Sequence, residues 1–203
     1  MSVLIVDYGM GNLGSARRSF EECGATVRVS DDPKSISEAD RIVIPGVGAF
    51  SEAMRRIRDL GWYGTLRRAA LEDRVPVLGI CLGMQLMASG GCEGGETEGL
   101  GLISGRVSRL DNASGERLPH VGWNEVHPLN GCVLFREVPR GTDFYFVHSY
   151  RFVPDDLGSL AATTPYCGKF ASAVFAGNIF GVQFHPEKSS RAGFQLIRNF
   201  LAV

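Results

Sequence analysis

The sequence lacks an excess of either charge. Its 203 residues include 21 Lys and Arg and 22 Asp and Glu, which leaves a formal net charge of -1. Proteins that bind nucleic acid carry clustered positive charge that neutralises phosphates, so this balance argues against that class. The sequence also lacks an apolar run of the roughly 20 residues that cross a bilayer, and it opens on a strand pattern rather than a signal peptide. We therefore expect neither nucleic acid nor a membrane as a partner.

Cysteine pairs are also missing. None of the five cysteines belongs to a C-x-x-C pair, and no set of Cys and His has the spacing of zinc ligands. This pattern excludes a disulfide framework and predicts a cytoplasmic protein in a reducing compartment. It gives no reason to expect a metal or any other cofactor.

Internal repeats and low-complexity linkers are absent as well, so we expect a single domain over residues 1–203. The first half alternates helical segments with apolar strands at residues 3–7, 26–29, 41–44 and 77–80. That alternation is typical of an α/β fold with an open, mostly parallel sheet and helices on both faces.

The second half has a different pattern. From residue 102 the chain contains short β-prone runs, of which 144–152 is one. These runs predict mixed or antiparallel strands that extend the sheet, closed by a helix over 191–201. We interpret the glycine- and glutamate-rich residues 90–101 as a surface loop.

The most informative stretch is the apolar strand that ends at Cys81. Gly79 and Gly83 flank this cysteine at two residues on each side, which is the G-x-nucleophile-x-G spacing of a nucleophile elbow. Such a strand-to-helix corner is sharply strained, and a Cβ at either glycine would collide with the packed turn. The corner also places the sulfur at a helix N-terminus, where the N–H of Leu82 can stabilise negative charge. The alternative is an ordinary buried cysteine at a strand end.

A candidate base lies far along the chain. His185 and Glu187 are two residues apart at the end of a predicted strand, so on an extended backbone both side chains point to one side. Glu187 can then accept a hydrogen bond from one imidazole nitrogen while the other faces the Cys81 thiol. Taken alone, the same residues could form a turn with a surface histidine.

A second oxyanion donor is expected in the turn at residues 45–48 (Pro-Gly-Val-Gly), which follows the third strand. Its glycines allow backbone N–H groups to point into a crevice beyond the strand ends. We predict that the Val47 N–H fills this role, directly or after a flip of the peptide that precedes it.

Residues 9–14 suggest a different function. They spell G-x-G-x-x-G after the first strand, and Asp31 ends the second strand, where a ribose-binding acid would lie. A nucleotide-binding or regulatory module without catalysis is therefore an alternative. The competing interpretation is a tight turn at the sheet edge that serves packing or a partner.

The sequence resembles the class I, triad-type glutamine amidotransferases. The resemblance is carried by residues 79–85, 45–50 and 185–189, with further similar stretches at 7–12, 119–124 and 144–150. It implies hydrolysis of L-glutamine through a Cys81 thioester. It also implies transfer of the ammonia to a (β/α)8-barrel cyclase partner in a heterodimer that serves histidine biosynthesis. A glutaminase subunit of another synthase is the alternative within the family.

The same resemblance implies two further groups of residues. Those that would line the glutamine pocket are Gly48, Gln85, His148, Ser149 and Tyr150. Those that would contact the partner are Asn12, Trp123 and Lys188, although Trp123 could also be ordinary core.

Overall fold

The first half of the chain alternates strands with helices, as its apolar pattern predicts. In a computed structural model, residues 1–111, 115–129 and 131–203 are described. The elements of the first half are β1 (Ser2–Val6), α1 (Leu13–Glu22), β2 (Thr26–Ser30), β3 (Arg41–Gly46), α2 (Phe50–Asp59), α3 (Trp62–Leu71), β4 (Val77–Cys81) and α4 (Leu82–Leu86).

The second half is mainly β-structure. Its elements are β5 (Gly90–Gly91), β6 (Thr97–Glu98), β7 (Gly105–Arg109), β8 (His120–Pro128), β9 (Thr142–His148), β10 (Tyr150–Pro154), β11 (Leu160–Thr164), β12 (Phe170–Ala176), β13 (Ile179–Val182) and α5 (Ser190–Leu201).

Nine strands form the main sheet in the order β2-β1-β3-β4-β13-β12-β11-β8-β9. The pairs from β2 to β13 are parallel, and the pairs from β13 to β9 are antiparallel. This confirms the predicted fold class, a parallel sheet that the second half extends with antiparallel strands. Because β13 returns to pair with β4, the residues after β13 are brought next to Cys81.

Both faces of the sheet are covered. Along β1, Val3 and Ile5 pack into a core layer that includes Phe200 of α5, whereas Leu4 packs into a second layer that includes Phe50 of α2. Successive side chains of a strand point to opposite faces, so continuous apolar strands are what a sheet buried on both sides requires. No helix within the described residues is long and apolar enough to cross a membrane.

A second, four-stranded sheet in the order β10-β7-β5-β6 was not predicted. It corrects the surface-loop interpretation of residues 90–101, which contain β5 and β6. Strands of two residues are too short to show a period-two pattern, so periodicity could not indicate them. The run at 144–152 is also two strands, because the chain passes at Ser149 from the main sheet into the second one.

Candidate active site

Cys81 occupies the corner between β4 and α4. Its backbone has φ 55°, a left-handed conformation that is strained for any residue with a Cβ. A Cβ added at Gly79 would lie 2.6 Å from the backbone of Gly83, and one added at Gly83 would lie 1.7 Å from the carbonyl oxygen of Ile44. Both flanking positions therefore require glycine, as the elbow spacing predicts.

His185 follows β13 and lies beside Cys81. Its Nδ1 is 2.8 Å from the Glu187 Oε1, and both side chains are almost fully buried. The backbone of His185 is extended, but residues 186–188 form a short 3-10 turn. This turn, rather than the extended geometry argued from the sequence, brings the carboxylate back to the imidazole.

The charge state of His185 is set by its two neighbours. Burial by itself lowers the pKa of His185, but the Cys81 sulfur and the Glu187 carboxylate outweigh it and raise the pKa to about 10. The Nε2 atom makes no hydrogen bond of regular geometry with any described residue. Cys81 therefore raises the pKa of the imidazole because its sulfur lies close to the ring, and not because the two form a hydrogen bond of regular geometry.

The Cys81 sulfur has two further polar neighbours. It lies 3.8 Å from the Val147 carbonyl oxygen, to which the thiol can donate, and it accepts from the Gln183 Nε2 at 3.7 Å. These contacts fix the direction of the side chain at the floor of a cavity.

A cavity of about 180 Å³ opens above the sulfur. Seven of the predicted site residues line it: Val47, Gly48, Cys81, Leu82, Gln85, Ser149 and Tyr150. They lie just after β3, at the end of β4, in α4 and at the junction of β9 with β10, as expected for an open α/β sheet, in which ligands bind beyond the carboxyl ends of the strands.

The predicted oxyanion donor is turned away from its expected role. The Val47 N–H donates to the Met10 carbonyl oxygen at 3.4 Å, so it is already engaged within the protein. Val47 itself is 43% exposed, and the Gly48 that follows has φ +116°. The turn therefore has the conformational freedom that a flip of the Gly46–Val47 peptide needs.

The structure does not bring His148 to the cavity. Its imidazole is buried and makes hydrogen bonds to His120 and to the Tyr150 carbonyl oxygen. Val147, Ser149 and Tyr150 line the cavity instead. The His148 side chain is therefore not among those that line the cavity.

Two residues that the sequence interpretation missed contribute to the site. Glu93 lines the cavity, and its Oε2 accepts a hydrogen bond from the Phe50 N–H at the start of α2. Burial raises the pKa of Glu93, against the opposing effect of that hydrogen bond. Tyr8 is buried, and its hydroxyl donates to the Pro45 carbonyl oxygen at 2.7 Å. Burial, with a contribution from Cys81, raises the pKa of this phenol.

The three residues expected at a partner surface have different environments. Trp123 is 52% exposed, so the alternative that it belongs to the core is wrong. The ammonium group of Lys188 lies 5.7 Å from the centre of the Tyr145 ring. The Asn12 side chain caps α1 by accepting from the Ser15 N–H.

Within residues 1–111, 115–129 and 131–203, no group of three or more His, Cys, Asp and Glu side chains could hold a metal ion. The polar groups that line the cavity include the Cys81 thiol, the Gln85 amide and the Glu93 carboxylate, whereas the buried His185–Glu187 pair lies beside the sulfur and is not among the lining residues.

A strained cysteine at a strand–helix corner, a buried imidazole paired with a carboxylate beside it and a cavity above the sulfur define a class of protein, the α/β enzymes that transfer acyl groups through a thiol. Residues 4–203 match the family model of the class I glutamine amidotransferases. The chain belongs to this family.

Relatives with known names span nearly the whole chain. The chain is 48% identical over 198 residues to the imidazole glycerol phosphate synthase subunit HisH of Moorella thermoacetica, covering 98% of this chain and 93% of the relative. It is 47% identical to the subunit of the same name from Chlorobaculum tepidum, covering 98% of each.

Solved structures share the fold at lower identity. A glutamine amidotransferase from Thermotoga maritima superposes with a TM-score of 0.70 at 22% identity, over 100% of this chain and 83% of that one. PurLQS from the same organism gives a TM-score of 0.74 at 19% identity, over 99% and 97% of the two chains. At such identities the likeness extends to the fold alone.

Proposed function

We propose that the chain is the glutaminase subunit of an imidazole glycerol phosphate synthase. It hydrolyses L-glutamine to glutamate and ammonia, and the ammonia passes to a (β/α)8-barrel cyclase partner in a heterodimer. There it is used to make imidazole glycerol phosphate and aminoimidazole-carboxamide ribonucleotide in histidine biosynthesis. The observation that carries the proposal is the His185–Glu187 pair beside Cys81, in a chain that is 40–48% identical to subunits of that name.

The first chemical step forms a thioester. The proton of the Cys81 thiol passes to His185, and the sulfur attacks the side-chain amide carbon of glutamine. The carbonyl electrons move to oxygen, and the C–N bond breaks as that oxygen re-forms its double bond. His185 donates the proton that the departing nitrogen needs, so that nitrogen leaves as ammonia. Glu187 holds the imidazole at 2.8 Å and stabilises its protonated form.

The second step releases glutamate. His185, now neutral, removes a proton from a water molecule, and the resulting hydroxide attacks the thioester carbon. The C–S bond breaks, the sulfur regains its proton through His185, and the site returns to its starting state. His185 Nε2 is free of other partners in the described protein, so it is available for both proton transfers.

Two side chains at the cavity suit the ammonium group of an amino acid. Glu93 provides a carboxylate whose Oε2 is anchored on the Phe50 N–H. Gln85 uses its Nε2 in hydrogen bonds to Tyr150 and Gln183, which leaves its Oε1 as an acceptor. An anion and a neutral acceptor in one small cavity favour a cationic ligand group over an anionic one.

Stabilisation of the oxyanion requires the turn at residues 45–48 to move. The Leu82 N–H at the start of α4 serves as one donor, and the Val47 N–H becomes the second when it leaves the Met10 carbonyl. Loss of one such donor typically costs about 3 kcal/mol of barrier. We therefore expect the isolated chain to be nearly idle, and the partner with its nucleotide to switch it on.

An exposed apolar surface next to the site suits the partner. Val121 is 56% exposed on the same strand as Trp123, and exposed Lys188 lies close by over Tyr145. Large exposed aromatics are enriched at the centres of protein interfaces. Lys188 can pair with a carboxylate of the cyclase across this surface. Asn12 is included because it begins α1, a helix that contacts the turn at residues 186–188.

A cytoplasmic location belongs to the same proposal. All five cysteines are free in the structure, which suits a reducing compartment. The alternatives of a nucleotide-binding module and of another synthase are less well supported, because the curated relatives at 40–48% identity carry the name of one synthase.

The test is ammonia release from glutamine by the purified chain, first by itself and then together with the cyclase and its nucleotide. We expect release that requires the partner, is abolished by Cys81→Ala and is unaffected by Cys92→Ala, which removes an exposed thiol away from the corner. Absence of ammonia from the complete complex would refute the proposal.

A further inference from the structure

Two buried histidines form a continuous hydrogen-bonded chain behind the cavity. His120 of β8 and His148 of β9 face each other in the antiparallel ladder. The His120 Nδ1 lies 3.0 Å from the His148 Nε2, and the His148 Nδ1 lies 2.8 Å from the Tyr150 carbonyl oxygen. At the other end, the Asn124 Nδ2 lies 3.1 Å from the His120 Nε2.

The donor and the acceptor of each hydrogen bond in this series follow from the atoms at its ends. A carbonyl oxygen can only accept, so the His148 Nδ1 carries the hydrogen. In a neutral imidazole the other nitrogen then accepts, which requires His120 to donate from its Nδ1 and to accept from Asn124 at its Nε2. Burial lowers the pKa of His148 to about 3 and that of His120 to about 4, so both rings are neutral near pH 7.

The hydrogen-bonded series of histidines ends on the Tyr150 carbonyl oxygen, which also accepts a hydrogen bond from Gln85. The Tyr150 carbonyl oxygen accepts a second hydrogen bond, from the Gln85 Nε2 at 3.0 Å, and the same nitrogen donates to the Gln183 Oε1 at 3.1 Å. Both hydrogens of the Gln85 amide are therefore engaged. Turning the amide over would set its oxygen against the Tyr150 carbonyl, so the Gln85 Oε1 is the atom left for a ligand in the cavity that Gln85 lines.

We propose that His148, held in place by His120, is a positioning residue for recognition of the substrate ammonium group. Through the Tyr150 carbonyl it keeps the Gln85 amide oxygen directed at the ligand, next to the Glu93 carboxylate. This inference rests on the proposed function, since it takes glutamine as the ligand.

A positioning role and a merely structural role predict different kinetics. The hydrogen bonds of the histidine pair run to each other, to Asn124 and to the Tyr150 carbonyl oxygen, and not to Cys81 or His185. Loss of the pair should therefore weaken binding of the ammonium group and leave the chemical step nearly unchanged. A core residue that only maintains packing would lower stability without distinguishing one part of the substrate from another.

The experiment measures ammonia release by the complex with the cyclase for the wild type, His148→Phe and His148→Asn. His148→Phe loses the hydrogen bond to the Tyr150 carbonyl oxygen, which should raise KM for glutamine about tenfold and change kcat by less than about threefold. Asparagine places an amide N–H where the imidazole Nδ1–H was, so His148→Asn should restore most of the loss.

A substrate analogue adds a second readout. The inhibition constant of 4-carbamoylbutanoate, which is glutamine without its amino group, should be the same in the wild type and in His148→Phe, because the analogue has no ammonium group to lose. Equal weakening of glutamine and the analogue, or a loss confined to kcat, would overturn the proposal.

Controls separate folding from recognition. Phe170→Leu removes a ring that packs 4.9 Å from His148 outside the hydrogen-bonded chain, and it should lower the melting temperature without changing KM. If His148→Phe fails to fold, His120→Phe asks the same question, since a phenyl ring can keep the stacking on Tyr166 and Phe146. Normal KM in a folded His120→Phe would overturn the inference while leaving the glutaminase assignment intact, whereas a wild-type complex without glutaminase activity would overturn both.

Discussion

Substitution of Gly83 by alanine tests whether the Cys81 corner is as tightly packed as the structure indicates. The added Cβ would lie 1.7 Å from the Ile44 carbonyl oxygen and 2.8 Å from its carbon, where ordinary van der Waals contact begins at 3.4 Å. The obstacle is backbone of β3, which cannot rotate away as a side chain could. Strand β3 and helix α4 must therefore separate by more than an ångström.

This geometry sets a lower bound on the loss of folding stability in Gly83→Ala. Overpacking typically destabilises a protein by 1–3 kcal/mol, and a clash with fixed backbone belongs at about 3 kcal/mol or above. For a chain of this size that corresponds to a fall in Tm of roughly 6–12 °C. Because Val47 follows β3 directly, the same displacement moves the oxyanion turn away from Cys81, and a misplacement of about 1 Å can cost a hundredfold in rate.

A matched control lies in α3. Gly64 is a helical glycine with no atom within 4 Å of an added Cβ, so Gly64→Ala should stabilise the protein by about 0.5–1 kcal/mol through helix propensity. Thermal denaturation compares the two variants, and glutamine turnover in the complex measures the effect on the site. A Gly83→Ala protein with wild-type melting and turnover would refute the packing argument.

Three further predictions concern the site and its surface. Cys81→Ser should lower ammonia release by roughly a thousandfold or more with unchanged melting, since a hydroxyl is far less ionised than a thiol; near-normal turnover would exclude the thioester step. Glu187→Gln should lower the His185 pKa from about 10, as followed by NMR titration of the imidazole. Because the pKa of His185 is higher in the folded protein than its ordinary value of 6.5, protonation of this imidazole stabilises the fold fully below pH 6.5, and the stabilisation is lost as the pH rises through about 10. The difference in unfolding free energy between wild type and Glu187→Gln should therefore shrink over that pH range. Trp123→Ala should weaken binding of the cyclase by about tenfold or more in calorimetry, and an unchanged Kd would place Trp123 outside the interface.

The features that could be predicted from the sequence are those determined by residues close together along the chain. The two glycines around Cys81 are required by contacts within one short corner, so their spacing alone indicates the strained turn. The His185–Glu187 pair is likewise local, although a 3-10 turn rather than an extended strand forms it. The change from parallel to antiparallel pairing followed from the change in periodicity near residue 102.

Features that depend on register between distant segments could not be predicted. His148 points away from the cavity because of where β9 ends and the chain enters the second sheet, a point that a continuous run over 144–152 conceals. Glu93 reaches the cavity through its contact with the start of α2, which no nearby motif indicates. The hydrogen bond from Val47 to Met10 joins two loops and depends on a single peptide orientation.

The most direct test of the central claim asks which sulfur reacts with a glutamine-shaped electrophile. The complex is incubated with a glutamine analogue that carries a chloromethyl ketone in place of the amide, and peptides are analysed by mass spectrometry. We expect one adduct, on Cys81, that is prevented by excess glutamine and by His185→Ala. Labelling of the exposed Cys92 instead, or of Cys81 at a rate that glutamine does not slow, would contradict it.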